Sequence, residues 1–343
     1  MVEMYTKEFI LNEVNSIREE IGHDKVNIFI EELYFDEKTE ELWIITEDRP
    51  DKSAIIGKGG WVIGKLREKL GLESIHVESY GDFLNKEYKL KLSKKTVVNL
   101  DSDLIGLKNL KTTIDNKLEN IYSFNFDTYF KKNIFEESEN TEAVVALSGG
   151  VDSSFSLILA KKLGFNPVAV TIDPGTIILP NQFKKNIKHL TESLNINHEY
   201  IKTDYSDIIE ESFKGKVHPC GRCSKNTGEL VKKYAKDNEI PIIIFGDMLA
   251  TGSQCINLQE DSLYRLNLPA SLCVGKQEIK SLIKNYDLQT FKGFGCPLLY
   301  EVHKKFPHMK KFSIQRILRE TRSSALEPGE ALDLIWSFYK TGS

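Results

Sequence analysis

The sequence predicts an α/β protein in which a parallel-sheet domain follows a smaller α+β domain. After residue 141, short apolar runs alternate with helical stretches, which is typical of a parallel sheet covered on both faces. The first eighty or so residues show another order, α-β-β-α-α-β. In the region between these two parts, apolar residues recur at the spacing of one helix face. We therefore predict a first domain at 1–84, a helical linker at 85–140 and a second domain at 141–343.

The first domain begins with an amphipathic helix. Apolar residues recur at helical spacing from Phe9 to Ile21, and Gly22 ends that helix. The elements predicted next are strands at 26–33 and 41–46, two short helical segments within 55–71 and a strand at 74–80.

A glycine-rich turn, GKGG, joins the two short helical segments of this domain. It consists of Gly57, Lys58, Gly59 and Gly60. A Gly-x-x-Gly turn between helices lets a nucleic-acid backbone approach its amides, and the lysine adds positive charge. The segment resembles a type II KH domain, from which the bulky Trp61 after the turn departs. The resemblance implies that these four residues bind RNA, and the alternative is a turn that binds nothing.

The second domain has candidate ligand-binding residues where its predicted strands end. Ligands of parallel α/β sheets lie beyond the carboxyl ends of the strands. Asp173 follows the second strand, and Gly246 and Asp247 follow a later one. The predicted strands are 143–147, 167–172, 198–201 and 240–245, with helices at 182–194 and 225–238 between them.

The sequence SGGVDSS follows the first strand of this domain and opens a helix. Gly149 and Gly150 let the backbone approach a phosphate, and a helix N-terminus directs free N–H groups at an anion. No lysine follows as a Walker A loop requires, and G-x-G-x-x-G is absent from the loop. The loop resembles that of the N-type ATP pyrophosphatases, the PP-loop family, whose fold is the adenine nucleotide alpha hydrolase type. The alternative is a turn without chemistry.

The resemblance implies that the protein binds ATP and Mg²⁺. The residues that match are Ser148, Gly149, Gly150, Asp152 and Ser153, with Asp173 and Gly246 at neighbouring strand ends. A second match is Arg265, followed by Lys276-Gln277-Glu278-Ile279 at a helix start. Arg265 and Lys276 suit a phosphate chemically, and the alternative is two surface cations. Asp247 is assigned to Mg²⁺, and Asp152 and Asp247 are predicted to be catalytic.

Three cysteines indicate a metal or sulfur site. Cys220 and Cys223 form a Cys-x-x-Cys pair, and Cys296 precedes a proline further along the chain. Three thiolates bind one metal centre and leave a fourth position open. Within a PP-loop domain the pattern resembles the tRNA thiolases that carry a [4Fe-4S] cluster, which implies catalytic and metal-binding roles for all three. Zinc, a redox pair and plain buried cysteines stay open, and Cys255 and Cys273 are interpreted as core residues.

Composition limits the partners and the cellular compartment that are expected for the protein. A formal net charge of −4 excludes a globally basic nucleic-acid binder, although the stretch 303–322 is locally basic. No apolar run approaches the roughly 20 residues that span a bilayer, so no membrane partner is expected. Five cysteines without a signal sequence favour metal or catalysis in the cytoplasm.

The resemblances together imply an enzyme with tRNA as its substrate. It would adenylate a carbonyl oxygen of a uridine or cytidine, release pyrophosphate, and insert sulfur from sulfide or a persulfide carrier. The alternatives are sulfur transfer to a small molecule or cofactor precursor, and a non-catalytic RNA-binding protein that senses nucleotide. The oligomeric state stays open, with a homodimer as one option.

Overall fold

The computed structural model describes residues 5–37, 39–100, 103–136, 141–259, 262–289 and 294–339. Its contacts divide the chain into two units. The first contains Met1–Tyr88 together with Leu118–Phe124, and the second contains Lys89–Lys117 and Asn125–Ser343. The first break therefore falls close to the predicted boundary at 84, whereas most of the predicted linker is grouped with the second unit.

The first unit has the predicted element order. Its elements are α1 (Lys7–Glu20), β1 (Ile30–Asp36), β2 (Glu41–Thr46), α2 (Arg49–Ile56), α3 (Trp61–Leu70) and β3 (Ser74–Ser79). The strand β2 is central, antiparallel to β1 and parallel to β3. Residues Ile10 and Val14 of α1 pack in one core with Leu42 and Ile44 of β2.

The first strand begins later than predicted. The run 26–33 is apolar enough for a strand, but the ladder with β2 starts where Ile30 faces Thr46. Because β2 ends at Thr46, residues 26–29 extend past the end of their neighbour, and β1 continues to Asp36 instead.

Three helices occupy most of the predicted linker: α4 (Tyr80–Asn99), α5 (Ile105–Glu119) and α6 (Phe126–Lys132). The apolar face predicted from spacing is buried in α5, where Leu107, Leu110 and Ile114 are inaccessible. Residues 137–140, at the end of the predicted linker, lie outside the described residues.

The second unit contains a six-stranded, mostly parallel sheet, which confirms the predicted α/β class. Its strands are β4 (Glu142–Ala146), β5 (Asn166–Asp173), β6 (His198–Lys202), β7 (Ile242–Phe245), β8 (Ile256–Leu258) and β9 (Tyr264–Asn267). They lie in the order β6-β5-β4-β7-β9-β8, and only β8 is antiparallel to its neighbour in this described sheet. Strands β8 and β9 are too short and polar to have been predicted.

The helices of this unit differ in burial. Helix α7 is central, with Phe155, Leu157 and Ile158 inaccessible. Helix α10 begins before the predicted residue 225, because Pro219 takes the first helical position, which suits proline. The helices are α7 (Val151–Lys162), α8 (Asn181–Ser193), α9 (Ser206–Phe213), α10 (Pro219–Asp237), α11 (Leu268–Ser271), α12 (Lys276–Lys284), α13 (Pro297–Lys305), α14 (Lys310–Arg322) and α15 (Pro328–Ser337).

The strand ends at which ligand-binding residues were predicted lie at one edge of the sheet. Parallel pairing aligns the carboxyl ends of β5, β4, β7 and β9, and Phe245 faces Asn267 in the ladder. In the described part of the chain, none of the helices is both long enough and apolar enough to cross a bilayer.

Candidate functional site

The loop between β4 and α7 has a backbone that only glycine fits at Gly149. This residue has φ +74°, and a Cβ there would lie 2.6 Å from the carbonyl oxygen of Phe183 on α8. The next residue, Gly150, is the N-cap of α7 and offers no side-chain oxygen to the first turn. The amide groups at the start of this helix are therefore available to an anion.

Two serines predicted to bind phosphate are found together in this loop, with different roles. The hydroxyl of Ser153 is buried, accepts the amide hydrogen of Ser148 at 3.1 Å and donates to the carbonyl of Gly150 at 3.1 Å. The Ser148 hydroxyl lies 3.0 Å from that of Ser153 and belongs to an exposed residue. Ser153 thus braces the loop, while Ser148 is accessible to a ligand.

Helix α7 starts against the end of β7. A Cβ on Gly246 would lie 2.9 Å from the backbone carbon of Asp152 and 2.9 Å from the amide nitrogen of Ser153. A larger residue would displace the first turn of α7, so Gly246 has a packing role. The next residue, Asp247, is exposed, and its carboxylate accepts the amide hydrogen of Leu249 at 2.8 Å.

The predicted residues Asp152 and Lys276 form an ion pair. The Lys276 Nζ lies 2.6 Å from both carboxylate oxygens of Asp152. Both side chains are largely buried but reach solvent, so the pair lies at the surface of the loop rather than in the core. Residues far apart in sequence therefore place a cation and an anion at the start of α7.

A buried ion pair holds the start of α12, and it was not predicted. The ammonium of Lys117, on α5, is inaccessible and lies 2.5 Å from one carboxylate oxygen of Glu278. The other oxygen accepts the amide hydrogen of Gly275, the N-cap of α12, at 2.9 Å. Because Lys276 follows that cap, Lys117 and Glu278 fix the backbone from which Lys276 reaches Asp152. The sequence signal that could have indicated this ion pair is the position of Lys117 on the same helix face as the apolar residues Leu110 and Ile114.

Asp173 lies at the same sheet edge as the last residue of β5. Burial raises the pKa of its carboxyl group, but hydrogen bonds from Lys184 Nζ, at 2.5 Å, and the Gly175 amide outweigh that effect. The net result is a pKa below the usual value, so Asp173 is ionised.

Helix α8 contacts the loop through a residue that was not predicted. The buried amide of Asn186 donates to the carbonyl of Gly149 at 3.4 Å and to that of Gln289 at 2.8 Å, and it accepts the Gln289 amide hydrogen at 3.1 Å. Asn186 therefore connects the loop to the chain that leads towards Cys296.

The end of β9 places two polar side chains near this edge. The guanidinium of Arg265 lies 4.6 Å from the centre of the Phe245 ring, so it stacks on an aromatic residue. Asn267 was not predicted. It is 2% exposed, and its Oδ1 has no hydrogen-bond partner among the described residues. A buried oxygen without a partner is costly, which marks Asn267 as a candidate ligand contact.

The three cysteines lie at two helix starts. Cys220 and Cys223 are in the first turns of α10, and Cys296 is the N-cap of α13. Burial, together with the charge of the Cys296 thiolate, raises the pKa of Cys220 to about 11 and that of Cys223 to about 12. Burial also raises the pKa of Cys296, although the amides of Leu298 and Leu299 oppose it.

The thiols are thus within electrostatic reach of one another, and all are protonated at neutral pH. Across the described ranges, no three His, Cys, Asp or Glu side chains stand close enough to hold a metal ion. The predicted metal group is not formed in this structure, and the roles of the cysteines stay predictions.

Two histidines border the cysteines. The Nε2 atoms of His218 and His303 lie 3.3 Å and 3.1 Å from the hydroxyl oxygen of Ser313. Burial lowers the pKa of His218, and so does the charge of Arg316; that charge also lowers the pKa of Cys220. Burial lowers the pKa of His303 to about 4, so both imidazoles are neutral.

The GKGG turn of the first unit has a backbone conformation that favours glycine. Gly57, Gly59 and Gly60 all have positive φ, and a Cβ on Gly57 would lie 2.3 Å from Val62 Cγ2. Lys58 is exposed, and Trp61 is 65% exposed. The KH-like assignment and the RNA-binding role of these four residues stay predictions.

The fold and the loop define a class. A mostly parallel sheet with an SGG loop at the start of its central helix is the arrangement of a PP-loop domain, and Lys276 pairs with Asp152 at that loop. The particular family follows from sequence. The chain belongs with the uncharacterized protein MJ1638 of Methanocaldococcus jannaschii, to which it is 36% identical over 247 residues, covering 71% of this chain and 90% of that protein.

More distant relatives share parts of the chain. The tRNA-specific 2-thiouridylase MnmA of Persephonella marina is 28% identical over 184 residues, 42% of this chain and 51% of that protein. The NH(3)-dependent NAD(+) synthetase of Staphylothermus marinus is 37% identical over 82 residues, 24% of this chain and 29% of that enzyme. The chain therefore spans about half of the thiouridylase and less of the synthetase.

Two solved structures are similar at low identity. The U34-tRNA thiolase NcsA from Methanococcus maripaludis with its [4Fe-4S] cluster is 14% identical, covering 62% of this chain and 77% of that one. The NMN synthetase from Francisella tularensis is 17% identical, covering 69% and 94%. Both have a TM-score of 0.39. No protein-family profile matches the chain.

Proposed function

We propose that the protein adenylates a carbonyl oxygen of a tRNA base with ATP and then replaces that oxygen with sulfur. The observation that carries the proposal is the paired Asp152 and Lys276 at the start of α7, beside an amide-lined glycine loop in a domain that also contains three coupled thiols. The sequence similarity to a tRNA 2-thiouridylase supports tRNA as the substrate.

In the first half-reaction the loop holds the β- and γ-phosphates. The amides at Gly149 and Gly150 and the exposed Ser148 hydroxyl donate to phosphate oxygens. Lys276 would pair with a phosphate oxygen in place of Asp152, and the Asp152 carboxylate would then be available to hold Mg²⁺. The substrate oxygen forms a bond to the α-phosphorus, and the bond to the bridging oxygen breaks. Pyrophosphate leaves with that electron pair, and its charge is stabilised by the same donors.

In the second half-reaction a sulfur nucleophile attacks the activated carbon. The carbon–sulfur bond forms, the carbon–oxygen bond breaks and AMP leaves with the oxygen, while the sulfur loses its proton. This step needs a thiolate or hydrosulfide, which the raised pKa values of Cys220 and Cys223 disfavour in the free protein. A metal that removes these protons therefore fits the site chemically.

Three thiols are a donor set that suits an iron–sulfur cluster with one open position. The charges of Cys296 and Cys220 act on the pKa of Cys223, although the described side chains are not grouped closely enough to hold a metal as they stand. A [4Fe-4S] cluster held by Cys220, Cys223 and Cys296 would supply an iron with an open position for hydrosulfide. The apolar side chains beside Cys223 and Cys296 would keep water away from it.

The test uses full-length protein reconstituted anaerobically with iron and sulfide. It is incubated with ATP, Mg²⁺, a sulfide donor and bulk tRNA from a strain without thiolated bases, and the nucleosides are analysed by mass spectrometry. We expect an ATP-dependent thionucleoside, absent with the Lys276→Gln variant. Protein that binds tRNA but never thiolates it would contradict the proposal. Sulfur incorporation into a small molecule with tRNA left unmodified would favour the small-molecule alternative.

A further inference from the structure

Helix α14 carries a row of cations on its outer face. Lys311, Gln315, Arg319 and Arg322 are exposed and recur at intervals of three or four residues, so they lie on one face of the helix. Lys304, at the end of α13, is also exposed. We name these five residues the basic face. From Lys311 to Arg322 the row extends about 16 Å along the helix.

The positive charge of this face is not neutralised locally. Within the described ranges, none of its four cations has an acidic side chain at ion-pair distance. The acidic residue of α14, Glu320, is buried and accepts a hydrogen bond from Arg316 at 3.2 Å instead. Some other lysines of this unit are paired, such as Lys280 with Glu330. In a chain of net charge −4, an unpaired row is a local positive potential.

The same helix borders the cysteine site. The hydroxyl of Ser313, on α14, lies 3.3 Å from Nε2 of His218, and His218 is the N-cap of α10, the helix that contains Cys220. His218 also packs edge-on against the ring of Phe312, which is partly exposed beside the row. Helix α14 thus carries the cations on one side and contacts His218, close to Cys220 in the chain, on another.

From this geometry we infer that the basic face binds the phosphate backbone of the RNA and brings a base towards the cysteines. A linear row of fixed cations suits a polymer with regularly repeated charges, and an exposed aromatic ring beside it suits a base or ribose. The inference rests on the proposed function, which names tRNA as the substrate.

The test compares two charge reversals in the full-length protein. In Lys311→Glu/Arg319→Glu the basic face loses two cations. In the control, Lys131→Glu/Lys132→Glu, two exposed cations of α6 are reversed, so that the net charge changes equally. Binding of bulk tRNA is measured over a range of salt concentrations. We expect the first variant to bind about tenfold more weakly at about 0.1 M salt, with a salt slope reduced by about 2, and the control to bind like wild type.

The outcomes separate this inference from the proposed function. If the basic-face variant loses tRNA binding although wild type forms no thionucleoside, the face is supported and the proposed function fails. If thiolation and binding are equal in both variants, the proposed function is supported and the inference is overturned. Displacement of tRNA by polyglutamate at equal charge concentration would also overturn it, because the face would then take any polyanion.

Discussion

The glycine loop and the cysteine site lie in one unit of the chain, yet they are built in opposite ways. The loop satisfies its own groups: Ser153 braces the backbone, and Lys276 neutralises Asp152. The cysteine site holds thiols whose burial raises their pKa values, and the charge of Cys296 adds to this effect at Cys220 and Cys223. The proposed nucleotide site is therefore held in shape by its own side chains, whereas the proposed sulfur site needs a partner that removes its protons.

This difference separates the two half-reactions. Nothing in the loop depends on a thiol, so ATP cleavage and sulfur transfer are expected to respond to different substitutions. Variants that break one site and leave the other intact therefore test the comparison.

The largest expected effect is that of Cys296→Ala. Sulfur incorporation and bound iron should fall to background, because two thiols remain where three are needed. Pyrophosphate release from ATP with tRNA present should persist. The control is Cys255→Ala, since that buried thiol bonds to Ser93 rather than to the other cysteines, and it should keep sulfur transfer. If the Cys296→Ala variant transferred sulfur as fast as wild type, the proposed role of the three cysteines in sulfur transfer would be wrong.

The second effect is that of Gly149→Ala, which should reduce pyrophosphate release about 100-fold. Its Cβ would lie 2.6 Å from the Phe183 carbonyl oxygen, so the loop must move away from phosphate. The control, Gly22→Ala, has nearly the same φ, +77° against +74°, but no atom within 4 Å of the new Cβ. It carries the same backbone strain and should keep activity. An active Gly149→Ala protein would show that the loop does not hold the nucleotide.

A third effect concerns pH in the metal-free protein. A folded-state pKa raised to about 11 for Cys220 means that the folded protein holds this proton more tightly than the unfolded chain. The resulting stability is present below about pH 9 and is lost as pH rises through the folded value. Iodoacetamide should therefore alkylate Cys220 at pH 8 at least tenfold more slowly than in the urea-unfolded chain. Equal rates, read by mass spectrometry, would contradict the raised pKa.

The smallest effect is expected for Lys117→Met, which removes the buried partner of Glu278. The start of α12 should loosen, and KM for ATP should rise about fivefold with a smaller change in kcat. Lys117→Arg, which keeps the charge, should restore part of the loss. Lys108→Met on the same helix serves as the control, because Lys108 is exposed and pairs only with the exposed Asp103 in the described chain. A loss of stability without a change in KM would make Lys117 purely structural.

The two sites also differ in how far the sequence predicted them. The loop is local: one strand, two glycines and a helix start are contiguous, so its backbone form could be predicted from the sequence, and the anion-binding role of Ser148 to Ser153 stays a prediction. Fold class followed from the same local alternation of strands and helices. Pairing across the chain was not predictable, because spacing along the sequence does not say that Lys276 reaches Asp152 or that Lys117 reaches Glu278.

Other features depended on neighbours in space. The start of β1 is set by where β2 ends, and the burial of Asn186 and Asn267 is set by the elements around them. The cysteines were recognised as a set, but their distances depend on how α10 and α13 pack, which no local pattern encodes.

The central claim is that the loop holds the outer two phosphates so that the α-phosphorus is attacked. The direct test is product analysis by ³¹P NMR after incubating the reconstituted protein with ATP, Mg²⁺, sulfide and tRNA. The account predicts AMP and pyrophosphate in equal amounts, with both products formed about 100-fold more slowly by Gly149→Ala. ADP and orthophosphate would show that the terminal phosphate is cleaved instead, and would contradict it.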